Sequence, residues 1–288
     1  MSATGRASNT IADKLDRGMT PGPTTLRVDL LTVVSVGVVV HAATAVLHEG
    51  LGHGGACLFV CGTPLRLTSA SFDCHIDPTR VIAGNIVAAG GTIVNLIAGA
   101  IALWFFKRAT DHVARRFALW LFAATNFMVG FGYFFYSGIS NIGDWADVIG
   151  HERAKWVWRA LMGAAGFAAY IWATTRLYRL FGEILRGTTE ERYRLANKLS
   201  IVSFIAGVLL ACAAGAFNPG GFLILLSSAA AASLGGTSGL AWGAQTLRGA
   251  TGFNDRPPLT IPRNTPLIAT AVAVALLFVF VLGPGMSL

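Results

Sequence analysis

The chain has 288 residues, of which 54% are hydrophobic and only 12% are charged, about half the charged share of an ordinary soluble domain. This composition and a mean hydropathy of +0.60 exclude a water-soluble globular fold, because too little polar surface is available to cover a core. The net charge of +8 bears on membrane topology and gives no argument for a nucleic-acid partner, since Lys and Arg collect on the cytoplasmic side of membrane proteins. The lipid bilayer is therefore the first partner that we predict.

The first 28 residues are polar and contain the breaker-rich stretch TPGPTT at 20–25. We predict that residues 1–28 form a disordered cytoplasmic tail and not a signal peptide, whose apolar region would begin sooner. Residues 29–288 are predicted to form a single transmembrane domain.

Long apolar runs without charge follow this tail and predict the transmembrane helices. They lie near residues 30–56, 80–106, 117–139, 157–175, 199–217, 221–244 and 266–284. At about 20 residues per crossing, the predicted fold class is an all-α polytopic bundle with six to seven transmembrane helices.

The distribution of Lys and Arg predicts the orientation of the bundle. If the N-terminus is cytoplasmic, the inside segments hold 17 of the 22 basic residues and the outside segments hold five. This bias predicts a multi-pass protein of the cell membrane with a cytoplasmic N-terminus.

The first apolar run ends in the sequence HEGLGH, which contains His48, Glu49 and His53. Each ionisable group in the bilayer costs about 2.5 kcal/mol or more at its centre, so three within six residues need a reason. Metal binding supplies one, because two neutral imidazoles can ligate Zn²⁺ while a neighbouring carboxylate takes a proton from water.

The two histidines are five residues apart, whereas the usual zinc-peptidase motif has a spacing of four. At about 3.6 residues per turn, a spacing of five turns the second side chain roughly 140° away from the first. A π-bulge, which inserts one residue into a helix, would bring both imidazoles to one ion. Glycines at 50, 52, 54 and 55 make that distortion cheap.

A motif of this kind, at the end of a first hydrophobic span in a small multi-pass protein, resembles the site-2 protease or M50-type intramembrane metallopeptidases. The six-letter spelling is also similar to the zinc motif of the soluble dipeptidyl peptidase III family, in which the longer spacing is functional.

Two further segments carry the M50 resemblance. AGGTIVN at 89–95 is similar to the AGPxxN segment of that family, with Thr92 in place of Pro, and this implies a substrate-binding role for Asn95. GDWAD at 143–147 looks like the segment that supplies a third, carboxylate ligand. The resemblance assigns that role to Asp144, with Asp147 in reserve, although the best-known members carry an LDG-type motif.

The resemblance implies an integral membrane zinc metallopeptidase with its core in residues 29–155. His48, His53 and Asp144 would bind Zn²⁺, and Glu49 would activate the water that attacks a peptide bond of a membrane-protein or peptide substrate. The alternative is a non-enzymatic multi-pass protein that binds or transports metal ions or protons through the same side chains.

The number of membrane crossings also predicts that these segments lie together, independently of the resemblance to the M50 family. The first and third spans end on one membrane face, so the HEGLGH motif and the 140–156 loop meet there. His48 lies about 27 Å along its helix from Leu30, near the edge of the hydrocarbon layer. The charge distribution places this face outside the cytoplasm, whereas site-2 proteases generally keep zinc toward the cytosol.

Three cysteines follow the motif on the same face. If that face is oxidising, a disulfide such as Cys61 to Cys74 is expected. If it is reducing, Cys57, Cys61, Cys74 and His75 are candidates for a second site that binds a soft metal. We favour the disulfide.

Overall fold

The structure is a computed structural model that describes residues 28–109, 113–249 and 251–288. The predicted tail, apart from Val28, lies outside the described residues. Long helices dominate the rest, and six of those described are long and apolar enough to cross a membrane. This confirms the predicted all-α polytopic bundle.

The described chain contains seven long helices and one short one. They are α1 (Leu30–Phe59), α2 (Val81–Arg108), α3 (Val113–Ser140), the short α4 (Asp144–Val148), α5 (Lys155–Gly182), α6 (Thr189–Gly215), α7 (Gly221–Gly249) and α8 (Thr265–Leu282).

Helix α5 is the long helix that is less apolar than the other six. It nevertheless runs antiparallel along the whole of α3. At one end Arg159 donates to the carbonyl of Gly138 at 3.1 Å, and at the other Trp120 donates from its indole nitrogen to the carbonyl of Leu177 at 2.9 Å. A helix of 28 residues is about 42 Å long, enough to cross a bilayer.

The main core lies between the central helices, near the N-terminal end of α3. Trp120 and Phe117 are fully buried there with Tyr178 and Phe181 of α5, and the rings of Trp120 and Phe181 stack with centroids 4.1 Å apart. The ring of Tyr178 lies against Gly243 of α7, where an added Cβ would collide with it.

The ends of the helices follow from local sequence. Asp29 accepts a hydrogen bond from the backbone N–H of Thr32 and so caps the start of α1. Thr188 and Glu191 form a reciprocal capping box at the start of α6. Both caps satisfy backbone donors that have no partner within the helix.

A small three-stranded sheet covers the end of α1, an addition that the hydropathy pattern did not predict. Its strands are β1 (Thr63–Leu67), β2 (Phe72–His75) and β3 (Met286–Ser287), in the order β2-β1-β3. Both pairings are antiparallel. The C-terminal strand therefore packs on the hairpin that follows the HEGLGH motif.

The disulfide joins Cys57 to Cys74, so the expected Cys61 to Cys74 pairing is wrong. Cys57 and Cys61 are four residues apart and would lie on one side of a helix that continued past both. The helix instead ends at Phe59, and Cys61 has a left-handed backbone with φ of 55° and an exposed thiol. Cys57 stays fully buried against the β-hairpin, which brings its sulfur to Cys74.

Candidate metal centre

The HEGLGH motif forms a π-helix over Leu47–Gly54, continuous with the α-helical parts of α1 on both sides. A π-helix has wider turns than an α-helix, so residues five apart return to one face. The rings of His48 and His53 consequently lie edge to face with centroids 4.9 Å apart. The predicted distortion is present where the spacing of the histidines required it.

Asp144 reaches the two imidazoles from the first turn of α4. Its Oδ2 atom lies 3.2 Å from His48 Nε2 and 3.4 Å from His53 Nε2. One ligand atom from each of the three residues lies within 4.8 Å of the other two. This buried group could bind a metal ion.

Glycine at position 143 starts the short helix that presents Asp144. Gly143 precedes α4 with φ of 87°, a left-handed conformation that L side chains rarely adopt. The indole nitrogen of Trp145 donates to the hydroxyl of Thr92 at 3.0 Å and so ties α4 to α2. Thr92, which stands where the M50 pattern has Pro, thus helps to hold Asp144 in place.

The protonation state of His53 is constrained by a backbone carbonyl. His53 Nδ1 lies 2.7 Å from the oxygen of Val87, which can only accept, so Nδ1 carries a proton. A neutral His53 then points the lone pair of Nε2 at the carboxylate of Asp144. Two electron-rich atoms face each other stably only when a cation lies between them, either a proton or a metal ion.

The ring of His48 packs between two neighbouring groups. Its ring stacks on Tyr133 of α3 with centroids 4.8 Å apart, and its other face lies against Gly91, where a Cβ atom would come 2.5 Å from His48 Nε2. Among the described residues, His48 Nδ1 has no hydrogen-bond partner. Apart from the contact of Nε2 with Asp144, the ring is therefore positioned by packing.

Glycines also let α2 approach the π-helix. A Cβ on Gly90 would lie 2.4 Å from the carbonyl oxygen of Gly52, and one on Gly52 would lie 2.5 Å from the Cα of Gly91. Two helix backbones can come this close only where both residues are glycine, which has no Cβ. The contact explains why the glycine pair of the 89–95 segment matters to the site.

Glu49 is buried beside the three converging residues, with its Oε2 4.0 Å from His53 Nε2. It is not one of the three residues whose ligand atoms converge. Glu49 lines both cavities that meet at the site, so its carboxylate faces space that a substrate or water can occupy.

The two acidic residues of α4 differ in environment. Burial alone would raise the pKa of Asp144, but hydrogen bonds with His48 and His53, together with their positive charge, hold it below its ordinary value. Burial and the neighbouring charge of Asp144 raise the pKa of Asp147. Of the two acidic residues of α4, Asp144 therefore keeps its negative charge more readily, and Asp147 lines the cavity beside it.

The outer cavity has a volume of about 700 Å³ and reaches Glu49, His53 and Asp144. Polar side chains from the helix ends and loops around α2 and α4 also line it, including Asp77, Arg80, Asn85, Asp147 and His151, and apolar side chains line the remainder. The buried group is thus reached through an opening of mixed polarity at the end of the bundle where α1 and α3 both end.

Asn95 lies apart from this geometry. It is fully buried in α2, and neither its amide oxygen nor its nitrogen has a hydrogen-bond partner among the described residues. It is not among the residues that line the two cavities at the site. Its role in substrate binding stays a prediction.

Sequence reasoning missed the residues that hold the histidines in place. Tyr133 and Val87 come from helices distant in the sequence, and no local signal marks either of them. The Gly90–Gly91 pair was within a recognised segment, and its contact with the π-helix follows only from the packing of α2 against α1.

Comparison of the chain with protein-family models, with curated proteins and with solved structures finds no match.

Proposed function

We propose that this protein is an integral membrane zinc metallopeptidase that hydrolyses peptide bonds of membrane-associated substrates. The observation that carries the proposal is the convergence of His48, His53 and Asp144 beside a buried glutamate. A cavity open to one end of the bundle gives access to this group.

The donor set fits zinc. Two imidazole nitrogens and one carboxylate oxygen are a usual set for catalytic zinc, which keeps a fourth position for water or substrate. The hydrogen bond from His53 Nδ1 to Val87 fixes the tautomer that ligation through Nε2 needs. When bound, zinc would act as a Lewis acid on a peptide carbonyl and make a water molecule more acidic.

Glu49 is the candidate general base. Its carboxylate lies next to the three ligand residues without joining them, so an oxygen is free to accept a proton from the attacking water. The same oxygen can then deliver that proton to the nitrogen of the leaving amine. Glu49 would therefore both take and return one proton in each turnover.

The substrate class follows from the location of the site. Glu49 and both histidines belong to a helix that is apolar enough to span the bilayer, near its end and beside the outer cavity. A membrane-spanning substrate must unwind locally to present extended backbone there, because a helix keeps its peptide groups bonded to one another.

The proposal is tested by Glu49→Gln in purified protein reconstituted into lipid vesicles. We expect the zinc content of the variant to match that of the unmodified protein, while cleavage of a library of membrane-spanning peptides, followed by mass spectrometry, falls by about 100-fold or more. Glu152→Gln is the matched control, since Glu152 is exposed in the loop after α4 and its loss should change neither readout.

The ligand assignment is tested in the same vesicles. Asp144→Asn should remove bound zinc, whereas Asp147→Asn should retain it. Zinc that is retained in both the unmodified protein and Glu49→Gln, with no cleavage by either, would favour a protein that handles metal ions or protons over a peptidase.

A further inference from the structure

The candidate site continues inward, behind Glu49, into a second cavity of about 80 Å³. We call this cavity the inner pocket. Residues from α1, α3, α6, α7 and α8 line it, among them His41, Val129, Leu210, Ala211 and Phe278. It shares Glu49, Tyr133, Ala70 and Ser228 with the outer cavity, so the two meet at the proposed general base.

We propose that the inner pocket binds one uncharged side chain of Leu or Met size, belonging to the substrate residue beside the cleaved peptide bond. This inference rests on the proposed peptidase function and adds a substrate preference to it. A peptide bond held at Glu49 would lie at the mouth of the pocket, within reach of a neighbouring side chain.

The size of the pocket sets the size of the side chain. A dry apolar cavity of about 150 Å³ can hold benzene, and the inner pocket has about half that volume. A side chain of about four heavy atoms fits, whereas an indole does not. Ala, Val, Leu and Phe line the pocket together with several Ser and Thr residues, and the surface that faces the cavity is mostly apolar. Burial of an aliphatic side chain against this surface is favourable.

The charge of the lining excludes a charged side chain. Among the described residues, the His and acidic groups that line the pocket are His41, His48 and Glu49. His48 and Glu49 belong to the reacting centre at the mouth. His41 lies about 10 Å deeper along α1, and its Nδ1 atom is hydrogen-bonded to the carbonyl of Gly37. A buried Lys or Asp would find no stable counter-ion there and would pay its desolvation cost.

Ala211→Leu tests the pocket, because Ala211 lines it from α6 and a larger side chain would fill it. Ala213→Leu is the matched control, since Ala213 is exposed on the same helix. Peptides that differ only at the residue beside the cleaved bond should be cut by the unmodified protein and by Ala213→Leu about tenfold faster with Leu or Met than with Ala, Trp or Lys. Ala211→Leu should lose this preference and favour Ala.

Xenon gives a readout that needs no catalysis. Crystals of the unmodified protein and of Ala213→Leu under xenon pressure should show an anomalous peak in the inner pocket, and those of Ala211→Leu should not. Xenon binding without cleavage of any peptide would contradict the proposed peptidase function, although the inner pocket would still be a binding cavity. Cleavage whose side-chain preference is the same in Ala211→Leu as in the unmodified protein would overturn the subsite and leave the peptidase.

Discussion

Each histidine of the candidate site is held in a different way. A backbone carbonyl fixes the tautomer of His53, whereas the ring of His48 is pressed between Tyr133 and the backbone at Gly91. The two imidazoles should therefore respond differently to mutation. The orientation of His53 depends on where α2 places the carbonyl of Val87. The position of the His48 ring depends on residue 91 having no side chain.

Gly91→Ala tests the contact with His48. The new Cβ would lie 2.5 Å from Nε2, the atom that would ligate the metal, so the ring must move. We expect zinc affinity to fall by about 10- to 100-fold, measured by competition with a chelating indicator. The loss would occur although Ala favours a helix over Gly by about 1 kcal/mol.

Gly84→Ala is the control for this prediction. It makes the same change in the same helix, and nothing lies within 4 Å of its added Cβ. Zinc affinity should stay at the value of the unmodified protein. Equal affinity in Gly91→Ala and Gly84→Ala would contradict the proposed packing of His48.

The π-helix is the element that makes a five-residue histidine spacing compatible with one metal ion. It spans Leu47–Gly54. Its wider turns bring residues five apart to one face, whereas an α-helix does this for residues four apart. Leu51 is 58% exposed and is not among the described residues that line the two cavities at the site. The element can therefore be shortened without touching the site chemistry.

Deletion of Leu51 changes HEGLGH to HEGGH. We expect the π-helix to become α-helix, with both histidines still on one face because they are now four apart. Zinc affinity should stay within about tenfold of the unmodified protein. Insertion of one Ala after Leu51 should instead abolish zinc binding, since six residues place the rings on different faces. A deletion variant that keeps its melting temperature and loses zinc would contradict this reading of the helix.

At the scale of the whole molecule, the outer cavity, the β-hairpin and the Cys57–Cys74 disulfide lie at one end of the bundle. Structural disulfides persist in oxidising compartments. The bias of Lys and Arg independently predicts that this end faces away from the cytoplasm. Both arguments favour a site that opens outside, opposite to the usual orientation of site-2 proteases.

Cys61 provides a test of this orientation, because its thiol is free and exposed. In intact cells, a membrane-impermeant maleimide should label the unmodified protein and fail to label Cys61→Ser. A thiol placed at the other end of α2 by Arg108→Cys, in the Cys61→Ser background, should react only after the membrane is permeabilised. The reverse pattern would place the N-terminus outside the cytoplasm.

The sequence by itself determined the membrane bundle, the position of the histidine–glutamate motif and the need for a π-helix. Hydropathy and helical spacing are local properties, so apolar runs and a five-residue interval can be interpreted without knowing what packs against them. Asp144 was within reach of the same reasoning, because the ends of the first and third spans must share a membrane face.

Only the tertiary structure decided the disulfide partner of Cys74, the glycine contact behind His48, the carbonyl that orients His53 and the inner pocket beside Glu49. Each of these depends on side chains from separate helices meeting at distances of a few ångströms. Such contacts are set by how the helices pack, since lipid-exposed and buried faces are both apolar and the sequence pattern does not distinguish them.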